Sequence, residues 1–169
     1  MVPLIVMILA GRYESALVVA GIAGVSDGVD GWLARRFHWQ SRLGSILDPV
    51  ADKVMLVGCL VALGWLHEAP RWMVALVVVR DAVITLGALA WYRLLRNFQA
   101  RPSWLSKATT VAQIGFVLLV LAAQAFGWQV PMGVPVWIVA ILTIASGVDY
   151  VVRWSLLARR ELKGRGTST

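Results

Sequence analysis

The sequence predicts an all-α fold: a polytopic membrane helix bundle with six transmembrane helices, the first of them truncated. Three observations predict it. Hydrophobic residues make up 59% of the 169-residue chain, and the mean hydropathy is +0.74, well outside the range of a soluble globular domain. Polar breaks divide the chain into apolar runs at 2–10, 16–34, 44–66, 71–95, 104–126 and 134–158, and all but the first have roughly the 20 residues needed to cross about 30 Å of hydrocarbon. The basic residues alternate with those runs so as to fall on one side of the membrane.

The run 2–10 is too short to span, and no basic segment precedes it as in a secretory signal peptide; it is read as a first helix clipped at its N-terminus. The run 16–34 follows the break "GRYES" and ends at Arg35 and Arg36, and 44–66 ends in the Gly- and Pro-bearing break "GWLHEAPR". Beyond Pro70 the run 71–95 closes on Arg93 and Arg96, and 104–126 ends at "FGWQVPMGV". Glycine and proline there stop helices and make short turns. The last run, 134–158, closes on Arg159 and Arg160. With no internal repeat and no linker, residues 1–160 form one transmembrane domain, and 161–169 read as a flexible cytoplasmic tail.

With helices alternating in direction, Arg35, Arg36, Arg42, Arg93, Arg96, Arg101, Lys107, Arg153, Arg159, Arg160, Lys163 and Arg165 fall on one side, and Arg12 and Arg71 on the other. This is the positive-inside pattern, and it places the 35–43 and 96–107 segments in the cytoplasm. The net charge of +7 is thereby assigned to orientation and to anionic lipid headgroups, not to nucleic acid. The single cysteine, Cys59, lies mid-helix and excludes an internal disulfide. His38 and His67 have no ligand-spaced partner. Of nine tryptophans, Trp65, Trp72, Trp104, Trp128, Trp137 and Trp154 sit near helix ends, where indole rings anchor at the interface.

Against this background four of the six aspartates crowd into 26 residues: Asp27, Asp30, Asp48 and Asp52. A charge inside a membrane helix costs several kcal/mol, so such a group marks function. Spacings of three and four put each pair on one helix face. At 1.5 Å per residue, Asp30 lies roughly 12 Å from the 38–43 loop and Asp48 and Asp52 roughly 6–13 Å, so the two pairs are expected to face one another across a cavity open to the cytoplasm. Small residues at Gly28, Gly31, Ala34 and Gly44 allow close approach of a helix or a ligand. Four unpaired carboxylates repel, and two divalent cations balance them. Oxygen-only donors suit Mg²⁺, Mn²⁺ or Ca²⁺, not zinc. Paired ions of this kind clamp phosphoryl oxygens in an in-line displacement. Satisfaction by Arg35, Arg36, Arg42 and Lys53 requires those bases to fold back from the interface, which an apolar residue makes unnecessary.

The segment resembles the signature of the CDP-alcohol phosphatidyltransferases: Asp, two residues, Asp-Gly, two, Ala-Arg, eight, Gly, three, Asp, three, Asp. Asp27, Asp30, Gly31, Ala34, Arg35, Gly44, Asp48 and Asp52 fill every position. The resemblance implies that Asp27, Asp30 and Asp48 bind Mg²⁺ or Mn²⁺, with Asp52 contributing to the metal site and acting as general base. It implies that the CDP group of CDP-diacylglycerol is bound by the segment of Asp27, Asp30, Gly31, Ala34, Arg35, Gly44 and Asp48. An alcohol deprotonated at Asp52 would attack the lipid-linked phosphorus, and CMP would leave. It further implies a homodimer among membrane lipids, in a bacterial inner (cytoplasmic) membrane with the active site facing the cytoplasm.

For the acceptor, Arg80 lies roughly 14 Å into its helix, a costly depth for a guanidinium. With Lys107 and Arg153 it forms a candidate phosphate-binding set, Arg80 being suited to bidentate contact. Lys107 and Arg153 also fit interfacial snorkelling, and Asp149 and Arg153 are spaced as an i,i+4 pair. The Lys-x-x-Thr-x-x-Gln of Lys107, Thr110 and Gln113 is similar to a segment of phosphatidylglycerophosphate synthases and eukaryotic-type cardiolipin synthases. The former usually carry Gly where this chain has Ser106, a second Lys at Thr109, and Arg-Glu where it has Arg80-Asp81. Glycerol 3-phosphate is the expected acceptor, and phosphatidylglycerol the alternative. Relatives usually open on Asn-x-x-Thr-x-x-Arg, which "MVPLIVMILAG" lacks. A cation transporter would also place aspartates in the membrane, but the pseudo-symmetric repeats and broken helices typical of transporters are missing.

Overall fold

The computed structural model describes residues 2–37, 44–94 and 103–165. All regular structure among them is α-helical: α1 Val2–Leu9, α2 Tyr13–Phe37, α3 Gly44–Trp65, α4 Arg71–Leu94, α5 Trp104–Phe126 and α6 Gly133–Arg165. Each expected apolar run is matched by one helix. α6 continues through residues 161–165 of the expected tail, where Arg, Glu, Leu and Lys are all good helix formers.

Three hairpin turns close one end of the bundle in the same way. Gly11, His67 and Gly127 take left-handed φ values of 70°, 63° and 66°, and the residue after each donates its N–H back to the helix just ended: Arg12 to Met7 O at 2.9 Å, Glu68 to Leu63 O at 2.9 Å, Trp128 to Ala123 O at 2.8 Å. This satisfies carbonyls that a helix end leaves open. His67 adopts a conformation usual for glycine, and its ring is hydrogen bonded to Arg71 at 2.9 Å.

The buried core lies toward the same end. It joins Leu4 and Ile8 of α1, Leu60 and Leu63 of α3, Met73 and Val77 of α4, Val120 and Leu121 of α5, and Val139 of α6. Around it α5 packs against α2, α3 and α6, α4 against α3 and α6, and α1 against α2 and α3; among the described residues α2 and α3 do not touch directly. Gly58 makes the α1 contact close, since a Cβ there would stand 2.6 Å from Ile5 Cδ1.

The outward faces are apolar. Val18, Ile22, Val25 and Val29 of α2, Val79, Val83 and Leu86 of α4, and Ile141, Ile144 and Val148 of α6 are all exposed, more large apolar side chains than a water-soluble monomer displays. Trp65, Trp104, Trp128 and Trp137 point outward near helix ends. Among the described residues two helical segments, Trp104–Phe126 and Gly133–Ser155, are long and apolar enough to cross a membrane.

Candidate active site

Both aspartate pairs lie on helical backbone, Asp27 and Asp30 late in α2 and Asp48 and Asp52 early in α3, toward the end of the bundle opposite the three turns. The side chains of Asp27, Asp30, Gly31, Ala34, Arg35, Gly44 and Asp48 lie outside the described residues. Asp52 is described and exposed. It lines a cleft of about 490 Å³ between α2 and α3, with Ala20 and Gly24 of α2 opposite, Leu4 of α1 at the far end, and Thr110, Ile114, Val117 and Leu118 of α5 as the floor.

The cleft has a direction. Asp52, Lys53 and Thr110 supply its polar groups at the end nearer the aspartate pairs, and Leu56, Cys59, Val117, Leu118 and Leu4 make the rest apolar. Among the described residues, this cleft separates α2 from α3. It is an amphipathic space with a carboxylate at one end and a hydrocarbon lining behind it.

Of the three basic residues read as an acceptor site, Arg80 and Lys107 meet the first turn of α5, and Arg153 lies on α6 beside Asp149. Arg80 of α4 is buried, its side chain 5% exposed. Its Nη1 donates to Asp81 Oδ1 at 2.5 Å, and its Nη2 donates to Ser106 Oγ at 2.9 Å and to Ser146 Oγ. Gly147 packs beside the arginine stem, and a Cβ there would make ordinary contact with its Cγ at 3.6 Å. Nε is buried and has no partner among the described residues. Burying a guanidinium this deep is costly unless it is paired and hydrogen bonded, and Asp81 with two serines meets most of that need.

Lys107 is exposed, with its ammonium 5.1 Å from the centre of the Trp104 ring, a cation–π contact at the helix end. Arg153 is 64% exposed and donates from Nε to Asp149 Oδ1 at 2.7 Å. Ser103 caps α5, its hydroxyl accepting from Ser106 N at 3.2 Å, which satisfies an open N–H at the helix start. Arg80 is therefore linked through Ser106 to the turn that bears Lys107, while Arg153 is paired within its own helix.

Sequence reasoning found Arg80 but not its partners. A serine in "LTIASGV" gives no signal of its own, and Ser146 stands 66 residues from Arg80. Two positions at which the chain departs from the usual phosphatidylglycerophosphate synthase pattern, Asp81 and Ser106, are both partners of Arg80.

Comparison with known proteins gives this arrangement a context. The family profile described as CDP-alcohol phosphatidyltransferase matches residues 1–151. A "Probable phosphatidylglycerophosphate synthase" of Mycobacterium tuberculosis H37Rv is 32% identical over 163 residues, covering 90% of this chain and 75% of the relative. A "CDP-diacylglycerol--glycerol-3-phosphate 3-phosphatidyltransferase" of Haemophilus influenzae is 34% identical over 152 residues, covering 83% and 78%. A "Cardiolipin synthase (CMP-forming)" of Streptomyces coelicolor is 33% identical over 155 residues, covering 87% and 70%. A profile match through nine-tenths of the sequence, over the same residues that carry the complete aspartate signature, makes the chain an enzyme that belongs to the CDP-alcohol phosphatidyltransferase family.

Proposed function

We propose that the protein transfers the phosphatidyl group of CDP-diacylglycerol to a hydroxyl of glycerol 3-phosphate, releasing CMP, as a step of phospholipid synthesis. The observation that carries this reading is Asp52 on the wall of an apolar cleft, a carboxylate base and a space for a lipid chain side by side. The printed names of the relatives from Mycobacterium and Haemophilus support the same reaction.

In this reading Asp27, Asp30, Asp48 and Asp52 hold two Mg²⁺ or Mn²⁺ ions, and the donor set fits hard cations because it is carboxylate only. When bound, such ions neutralise charge on phosphoryl oxygens. Gly31, Ala34 and Gly44 leave room for the nucleotide and Arg35 flanks it, while an acyl chain lies along Leu56, Val117 and Leu118. Asp52 accepts the proton of the acceptor hydroxyl. The hydroxyl oxygen forms a bond to the phosphorus of the phosphatidyl group, the bond from that phosphorus to the bridging oxygen of the diphosphate breaks, and CMP carries the electron pair away. Arg80, Lys107 and Arg153 attract the acceptor's phosphate.

The outward apolar faces and the flanking tryptophans support six membrane-embedded helices, with α1, of eight residues, entering without crossing. We further propose residues 1–160 as one transmembrane domain of an inner membrane, paired with a second copy, with its site on the cytoplasmic side, a reading supported by the basic residues gathered at that end of the helices. A second reading, cardiolipin synthesis with phosphatidylglycerol as acceptor, is favoured by Asp81 and Ser106 beside Arg80 and by the name of the Streptomyces relative.

The test is CMP release by purified protein given CDP-diacylglycerol and Mg²⁺ or Mn²⁺. Release with glycerol 3-phosphate is the expected result. Release only with phosphatidylglycerol supports the second reading, and release with neither overturns both.

A further inference from the structure

Among the described groups, the Arg80 cluster carries more order than charge balance requires. Asp81 alone neutralises the guanidinium, through Nη1 at 2.5 Å. The two serines add no charge, yet they come from two other helices and converge on one nitrogen, Nη2. Hydroxyls that add no charge but meet a single atom from different directions fix its position and the rotation of the guanidinium plane. What remains is Nε, a buried N–H without a partner among the described residues, and a buried donor left unmet is costly. Unlike the buried amide of Gln113, this donor belongs to a guanidinium held at both Nη atoms, so its direction is fixed for a ligand.

We propose that Ser106 and Ser146 are positioning residues for the acceptor. Their hydroxyls hold Arg80 Nη2 so that Nε–H is presented to the anionic group of the incoming alcohol, a phosphate monoester or diester. The proposal rests on the reading of Arg80 as an acceptor-binding residue. It assigns to the α5 and α6 serines a share of acceptor affinity that neither residue signals by itself.

Ser106 is suited to the test. It is half-buried, and its backbone N–H, not its hydroxyl, makes the capping bond to Ser103, so Ser106→Ala leaves the start of α5 intact. Initial rates of CMP release are measured while glycerol 3-phosphate and CDP-diacylglycerol are varied separately, for Ser106→Ala, Ser146→Ala, Ser106→Thr and Arg80→Ala; phosphatidylglycerol replaces glycerol 3-phosphate if that is the accepted alcohol. Loss of one hydrogen bond to a charged group is expected to raise the acceptor KM about ten-fold in each alanine variant, with the KM for CDP-diacylglycerol within about two-fold. Ser106→Thr, which keeps the hydroxyl, is expected to restore the acceptor KM.

An unchanged acceptor KM in Ser106→Ala, or a parallel rise in both KM values, overturns the proposal, as does failure of Ser106→Thr to differ from Ser106→Ala. Should Ser146→Ala fail to fold, Ser106→Ala and Ser106→Thr decide. If Arg80→Ala raises the acceptor KM and the serine variants do not, the positioning role falls and the acceptor site stands. If Arg80→Ala also leaves the acceptor KM unmoved, both fall.

Discussion

Gly24→Leu tests whether the cleft beside Asp52 holds an acyl chain. No heavy atom lies within 4 Å of a Cβ built at Gly24, so α2 accepts the substitution without strain, and replacing glycine in a helix adds up to about 1 kcal/mol of intrinsic propensity. The new side chain projects into the 490 Å³ cleft. The usual figure of about 0.8 kcal/mol per buried methylene describes transfer from water and does not apply, because a displaced acyl chain moves into lipid, where no such driving force separates the two sites. What is lost is packing, and overfilling a defined space costs about 1–3 kcal/mol. That range is roughly a 5- to 150-fold weakening. The assay compares the KM for long-chain CDP-diacylglycerol with inhibition by free CDP, which has no chain to displace. The first is expected to rise and the second to stay level, with thermal stability equal or higher. An unchanged KM for the lipid in a folded Gly24→Leu protein refutes the assignment of the cleft.

Other predictions follow from single contacts. Asp52→Asn keeps CDP-diacylglycerol binding and loses turnover by about 10²–10⁴; near-normal turnover rules it out as base. Chelation with EDTA is expected to abolish CMP release and Mg²⁺ or Mn²⁺ to restore it, whereas release that persists after exhaustive chelation argues against a metal site. Gly58→Val forces Ile5 to a new rotamer, because a Cβ there stands 2.6 Å from Ile5 Cδ1, and should lower stability by about 1 kcal/mol in thermal unfolding; no shift in the midpoint would show that Ile5 adjusts freely. Gln113 buries an amide nitrogen with no partner among the described residues, so Gln113→Leu is expected to be neutral or stabilising by about 1 kcal/mol, and a clear drop in midpoint would reveal a partner for that amide.

What could be read from the sequence was whatever depends on local periodicity. A spacing of three or four residues puts Asp27 with Asp30 and Asp48 with Asp52 on common helix faces wherever the helices go. An apolar run between glycine and proline breaks specifies a helix and its ends, and α5 occupies 104–126 as read. The turn at His67 was less legible: its left-handed φ is one that glycine usually supplies, and composition did not announce it.

Only the tertiary structure decided which helices meet. That, among the described residues, α2 and α3 stand apart around a cleft floored by α5, with α1 packed against both, is something no helical period encodes. Arg80 announced itself by its depth, but its partners Ser106 and Ser146 lie 26 and 66 residues away. A serine is unremarkable on any one helix, and its meaning is set by the side chain that packing brings to it. Chemistry carried on one helix face is written in local spacing, and chemistry assembled between helices is written in long-range contacts that the one-dimensional pattern does not contain.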